Sequence, residues 1–261
     1  MRTKSTILLS FIFLMSCVKV KDDSVKKIFK SPLKSYQLPS SLSEVSGLSF
    51  YSEKELILIN DEEGILFYFD LLTETVLRSI NFNVKGDFEG VSLVDDIIYV
   101  LASEGILYKV NTDNEVSSIR LFDGKYNLEG LCYHEKRNSL LIACKEHPKK
   151  KKNDYIQVFE YNLSKEKIEK NPYLKLDKSE LSKKFKPSGL ALHPNGNLFI
   201  VSAANESFIE IGKDSKILNY LKLPKKSYPQ VEGIAIDKLG NLFLASEKAN
   251  MDHAYLYKIE Y

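Results

Sequence analysis

Five copies of one short pattern, polar residues followed by glycine and an aliphatic residue, limit the fold of this chain more than any other feature. They are Glu44-Val45-Ser46-Gly47-Leu48, Asp87-Phe88-Glu89-Gly90-Val91, Asn127-Leu128-Glu129-Gly130-Leu131, Lys186-Pro187-Ser188-Gly189-Leu190 and Gln230-Val231-Glu232-Gly233-Ile234. The successive glycines stand 43, 40, 59 and 44 residues apart. A period in the low forties is the length of one four-stranded blade of a β-propeller.

The interior of each period reads as such a blade. A short apolar stretch follows each glycine, then a turn, of which Asn195-Gly196 between apolar runs is the strongest hairpin signal. The second run is apolar almost throughout (56–59, 97–101, 140–143, 198–201, 242–245), as strands covered on both faces are. A third, alternating run follows, and a fourth, more polar one (76–82, 217–223) suits an outer edge. The last period stops after its third strand, and residues 28–38 resemble the missing fourth. The expectation is an all-β propeller of five blades, closed by an N-terminal strand that completes the last blade; six blades is the alternative. The 59-residue gap is one blade plus an insertion that includes the lysine run 149–152, a solvated loop.

The inner strands of a propeller converge on an axial channel, and glycine there permits close backbone approach. Glu89, Glu129 and Glu232 directly precede such glycines, and Glu44 stands three places before Gly47. Ser46 and Ser188 fill the aligned position in the first and fourth repeats. A second acidic set follows the second strands: Asp61, Glu62 and Glu63, then Glu104, Glu146 and Glu247. Both sets are expected at the same end of the blades. Carboxylates so close cannot all stay ionised without a cation or raised pKa values. Oxygen ligands of this kind suit Ca²⁺ or Mg²⁺ better than zinc. Glu44, Glu89, Glu129, Glu232, Asp61, Glu62, Glu104, Glu146 and Glu247 are therefore the candidate metal ligands. The plainer alternative is that these glutamates only accept backbone hydrogen bonds between blades.

Other chemistry has little support. His134, His147, His193 and His253 lack metal-ligand spacing and read as surface or turn residues. No catalytic triad order or phosphate loop is evident, so no catalytic residue is assigned. With 37 basic against 35 acidic side chains, nothing points to nucleic acid. Cys132 and Cys144 fall on one hairpin, with Cys132 expected opposite Ile142, so two unpaired, mostly buried thiols are expected.

The N-terminus reads as targeting. Arg2 and Lys4 precede an apolar run over 7–15, too short to span a bilayer. Leu14-Met15-Ser16-Cys17 resembles the bacterial lipobox, which implies cleavage before Cys17 and its acylation. The expected organisation is a lipoprotein signal peptide at 1–16, acylated Cys17 and a polar tether at 17–27, and the propeller at 28–261. The chain would then be lipid-anchored in a bacterial cell envelope, with the membrane reached through Cys17. Lys21-Asp22-Asp23 looks like a surface-export signal of some Bacteroidetes lipoproteins, and equally like a solvated linker.

The motifs Glu44-Val45-Ser46-Gly47-Leu48, Asn60-Asp61-Glu62, Gly86-Asp87-Phe88-Glu89-Gly90-Val91 and Val231-Glu232-Gly233-Ile234 resemble the SdiA-regulated protein family, a group of exported bacterial propellers. The resemblance implies the fold and calcium, but no reaction. More distantly the pattern is similar to esterase-like phytases and regucalcin-type lactonases, which are calcium-dependent propellers. Two functions remain open. One is a binding module for Ca²⁺ or a small polar ligand in the channel, with a protein partner on the loop face. The other is a metal-dependent hydrolase of phosphoesters or lactones, in which Glu89 or Glu129 activates water and Lys145 or Lys248 meets a phosphate.

Overall fold

The computed structural model describes residues 28–261, so the expected signal peptide, lipid site and tether lie outside the described residues. Strand β1 (Lys34–Gln37) comes first. Blade one is β2 (Val45–Phe50), β3 (Glu55–Asn60), β4 (Glu63–Asp70) and β5 (Thr75–Lys85). Blade two is β6 (Phe88–Val94), β7 (Ile97–Ala102), β8 (Ile106–Val110) and β9 (Val116–Arg120). Blade three is β10 (Asn127–His134), β11 (Ser139–Glu146), β12 (Tyr155–Asn162), β13 (Lys167–Ile168) and β14 (Leu174–Asp177). Blade four is β15 (Gly189–Leu192), β16 (Leu198–Ser202), β17 (Ser207–Ile211) and β18 (Ile217–Lys222). Blade five is β19 (Val231–Ile236), β20 (Leu242–Ser246) and β21 (Tyr255–Ile259), with β1 as its fourth strand.

The five antiparallel sheets form a ring, with β2, β6, β10, β15 and β19 touching in cyclic order. The count is five, and closure follows the sequence expectation: Lys34 pairs with Lys258 and Gln37 with Tyr255. Only 34–37 of the expected 28–38 segment is strand; ahead of it Phe29 is buried against Phe208 and Tyr228 between blades four and five. The long third period holds one blade whose outer strand is split. Both β13 and β14 pair with β12, and the lysine run forms an exposed 3-10 turn at Lys150–Asp154.

The core lies in five wedges, one between each pair of neighbouring blades. Second strands such as β16 are buried along their whole length, which explains their unbroken apolar runs. At the axis the glycines form a belt. A Cβ on Gly47 would stand 2.9 Å from Gly90 Cα, one on Gly90 2.8 Å from Leu131 N, and one on Gly130 2.9 Å from Gly189 Cα. One on Gly189 would meet Glu232 O at 2.6 Å, and one on Gly233 would meet Ser46 O at 3.3 Å, which closes the circle. Five blades bring their inner strands so close that the axial gap is only 10 Å³ at this level. The expected channel is therefore a cup, stopped by the belt and by aliphatic residues such as Leu48 and Ile234.

Two local expectations change. The turn at Glu135–Arg137, closed by Asn138 at φ 46°, pairs His134 with Ser139, so Cys132 faces Leu141 and Leu131 faces Ile142. Cys132 consequently packs toward blade four and Cys144 toward blade two. Both are unpaired, and burial pushes each thiol up to about 12. His147 is buried, against expectation: its Nδ1 accepts the Lys149 N–H at 3.0 Å and its ring packs edge-on to Tyr126.

Candidate functional site

The residue before four of the five belt glycines is set apart by a local irregularity. Pairing of β2 with β3, β6 with β7, β10 with β11 and β19 with β20 slips at Ser46, Glu89, Glu129-Gly130 and Glu232. Such a bulge leaves a residue unpaired and re-aims its side chain. Here it gathers three glutamates from three blades into one cup, where their charges interact. Glu129 is 1% exposed.

Lys145, from the end of β11, enters the same cup and forms an ion pair with Glu129. Burial works against its charge, but Glu129, Glu232 and Glu89 hold it above the ordinary lysine value. One lysine does not balance the acids. Burial, then Glu129 and Asp87, push the Glu89 carboxyl well up, and burial raises Glu129 despite Lys145. Glu232 is also raised by burial. Glu247 is pushed up to about 8, by burial and then by Glu232, Asp61 and Glu44. Asp61 is raised by burial and by Glu44, Glu62 and Asp87.

The mouth is rich in acceptors and poor in donors. Glu129 meets Lys145 and no other donor among the described residues, and the buried Oδ1 atoms of Asn60, Asp61 and Asn127 at the same end of the blades accept no hydrogen bond. The carboxylates of the opposite end are treated differently. Glu160 accepts two bonds from Arg137, at 2.7 and 2.9 Å, and one from Ser139 at 2.9 Å. Burial opposes its charge, yet these donors hold it below the usual carboxylate range. Glu210 accepts from Asn197, Asn219 and Tyr261, each at 2.6 Å. Buried acceptors left without donors are costly, and their concentration at one end marks that end.

Of the nine candidate ligands, the structure brings Glu89, Glu129 and Glu232 together, with Glu247, Asp61 and Glu44 within electrostatic reach. Glu62 is exposed beside Asp61. Glu104 is exposed, its carbonyl accepting from Arg120. Glu146 forms an ion pair with Lys186, which keeps its pKa low. Among the described residues no group of three or more His, Cys, Asp or Glu is disposed to hold a metal ion as it stands. Asp87 was missed; its carboxylate accepts from Ser103 at 2.5 Å and adds charge beside Glu89. The signal was present in Asp87-Phe88-Glu89, where a second carboxylate stands two residues before the bulge glutamate.

Two cavities open at this end. One, of 610 Å³ between blades four and five, is walled by Lys145, Glu232, Ser188 and Ala203 and rimmed by Lys186, Lys225 and Lys226. The other, of 520 Å³ between blades five and one, is lined by Glu44, Glu247, Asp252 and His253, with Lys248 at its edge.

The sequence pattern that defines the SdiA-regulated family matches residues 22–252. The chain belongs to the SdiA-regulated family. Solved structures similar to this family member include the glutaminyl cyclase of Myxococcus xanthus, with a TM-score of 0.65 at 12% identity over 88% of this chain and 94% of that one. A luciferin-regenerating enzyme matches with a TM-score of 0.55 at 13% identity, over 87% and 95% of the two chains. The virginiamycin B lyase of Staphylococcus aureus matches with a TM-score of 0.52 at 11% identity, over 87% and 70%. At such identities these likenesses show the fold that the SdiA-regulated chain shares with them, and fold alone does not carry activity.

Proposed function

We propose that this chain is an exported, lipid-anchored binding module whose acidic cup takes a cation, either a divalent ion of the Ca²⁺ type or the positive end of a small polar ligand. The observation that carries the reading is that three buried glutamates share one lysine, Lys145, at an end of the blades where the Oδ1 atoms of Asn60, Asp61 and Asn127 accept no hydrogen bond. A cation entering the cup would let Glu89, Glu129 and Glu232 ionise together. For a metal, Glu89, Glu129, Glu232, Asp61 and Glu247 are the oxygen donors in reach, and their chemistry fits a hard ion. They would have to draw inward, since no ready-made cage exists among the described residues.

Thermal melting with Ca²⁺, Mg²⁺ and alkylammonium ions tests this. A ligand at about 100 times its dissociation constant stabilises by about 2.7 kcal/mol. Glu129→Gln and Glu232→Gln should each reduce the shift. If no cation moves the melting temperature of the wild-type chain, the reading is wrong.

The hydrolase alternative draws on one feature: Glu89, with its raised pKa, lies within electrostatic reach of Lys145 and so offers an acid-base group beside a positive charge. Turnover of p-nitrophenyl phosphate or of a lactone panel, lost in Glu89→Gln, would establish it. The anchor is tested separately. Cys17→Ala should release the protein from the membrane fraction, and the mature N-terminus should carry acyl mass.

A further inference from the structure

The cavity between blades four and five differs in kind from the cup it adjoins. Its inner wall is Glu232 and Lys145, the same side chains that face the cup. It exists because the fourth repeat has small residues where other repeats have acids. Ser188 stands where Glu89, Glu129 and Glu232 stand in their repeats, and Ala203 and Ala204 replace the acids that follow the second strands. Ser188 is occupied structurally: it donates to Val231 O at 2.8 Å and accepts from Ala203 N at 3.2 Å.

The outer rim is basic. Lys186 is held by Glu146 and Lys225 by Glu206, at 3.0 Å for the latter. Lys226 has no ion-pair partner among the described residues. Between this rim and the buried glutamate the walls are aliphatic, with Ala203, Ala204, Pro229 and Met251. The cavity thus has an inner end where buried glutamates outnumber their one lysine, an apolar middle and a cationic outer end. At 610 Å³ it falls within the size range of small-molecule sites.

We infer that the ligand of this cavity is a small zwitterion, an ammonium and a carboxylate joined by a short aliphatic body, as in an amino acid or a short peptide. This inference rests on the proposal that the cup takes a cation. The ammonium end lies against Glu232 at the cup, where it adds positive charge to a group of buried glutamates that share one lysine. The carboxylate end lies at Lys226 and Lys225. A plain amine satisfies only the inner end, and a plain acid only the rim.

Isothermal titration of the full propeller with 6-aminohexanoate, hexylamine and hexanoate tests it, with Ca²⁺ as a separate arm. The expected result is that 6-aminohexanoate binds about tenfold more tightly than hexylamine, the worth of one charge-assisted contact, and that hexanoate binds weakest. Lys225→Ala combined with Lys226→Ala changes only rim side chains and should fold. It should bring 6-aminohexanoate down to the affinity of hexylamine. Glu232→Gln, nearly isosteric, should weaken both amines. Equal affinity of 6-aminohexanoate and hexylamine for the wild-type chain would overturn the zwitterion and leave the cation reading standing. Tight hexanoate binding that survives in Glu232→Gln would overturn it in favour of an anion site. Failure of every amine and of Ca²⁺ would remove the cation reading itself.

Discussion

The two cavities at the mouth occupy equivalent places in a repeating scaffold, each between neighbouring blades, and yet carry opposite character. The one between blades four and five is rimmed by lysines and walled by alanines. The one between blades five and one is lined by Glu44, Glu247 and Asp252. Gln230 lines both, and its side chain donates to Glu247 at 2.5 Å. The Lys248 N–H also reaches across to Ser43 O at 2.8 Å and ties blade five to blade one beside the acidic cavity. The difference comes from very few positions. A propeller supplies the same frame five times, and the identity of one bulge residue and of the residues closing the second strand decides what each frame can hold.

The largest test of this comparison is to remove Lys145, which lines the first cavity and whose charge reaches Glu247 in the second. Lys145→Met leaves Glu129 buried without a counter-charge. Breaking such a pair should cost about 3 kcal/mol at pH 8, measured by urea unfolding, and part of the loss should return at pH 5 as the carboxyls take up protons. A loss below about 0.5 kcal/mol would mean that the cup is already neutral and that the contrast between cavities is not electrostatic.

Next in size is a change that makes the two sides alike. Ser188→Glu places in the fourth repeat the acid that the others carry, at a site where the serine is 2% exposed. Lost hydrogen bonds and added repulsion should cost about 2 kcal/mol at pH 8, while both 6-aminohexanoate and hexylamine should bind more tightly and keep their ratio. A ratio that collapses would show that the inner end, and not the lysine rim, sets the preference for a zwitterion.

Titration without any mutation sharpens the comparison further. A carboxyl whose folded pKa lies above its unfolded value makes the native state bind more protons, so stability falls as pH rises. For Glu247 the window runs from about 4.3, the unfolded value, up to about 8. Glu89, Glu129 and Glu232 act in the same direction. Melting temperature should therefore fall between pH 5 and pH 8 by the equivalent of about 2 kcal/mol. Glu247→Gln should flatten that slope by removing the contribution of the acidic cavity. The low pKa values of Glu146 and Glu160 act oppositely, and cost stability only as the pH falls through the acid range. A melting temperature that rises steadily from pH 5 to pH 8 would contradict the raised values at the mouth.

The smallest effect belongs to the rim. Lys225 is 77% exposed in its pair with Glu206, so Lys225→Ala should change stability by less than about 1 kcal/mol while it weakens zwitterion binding. A larger loss of stability would make the rim part of the scaffold and not of the site.

Much of this could be read from the chain before its structure. The five glycine motifs fixed the blade count, and the incomplete last period called for the strand found at Lys34–Gln37. Glu89, Glu129 and Glu232 were found because they recur in step with the glycines. Glu104 and Glu146 follow the same numerical pattern and do not join the cup, because turn residues that share a position in the repeat need not share a direction. Lys145 was named from the sequence as a lysine that could meet a phosphate, but its pairing with Glu129 was not legible there. The buried state of His147 and the register of Cys132 were missed for a related reason: a turn or bulge that differs by one residue moves every later side chain to the other face.

By itself, then, the order of residues determined how many units there are, how the ring closes, and which acids lead each inner strand, because these follow from short-range periodicity and backbone permission. Only the tertiary structure decided which of those acids share one space, that a single lysine stands among them, and that the fourth repeat leaves a cavity. Those outcomes depend on distances between residues in different blades, and such distances come into being only when five inner strands meet around an axis with no room for a Cβ.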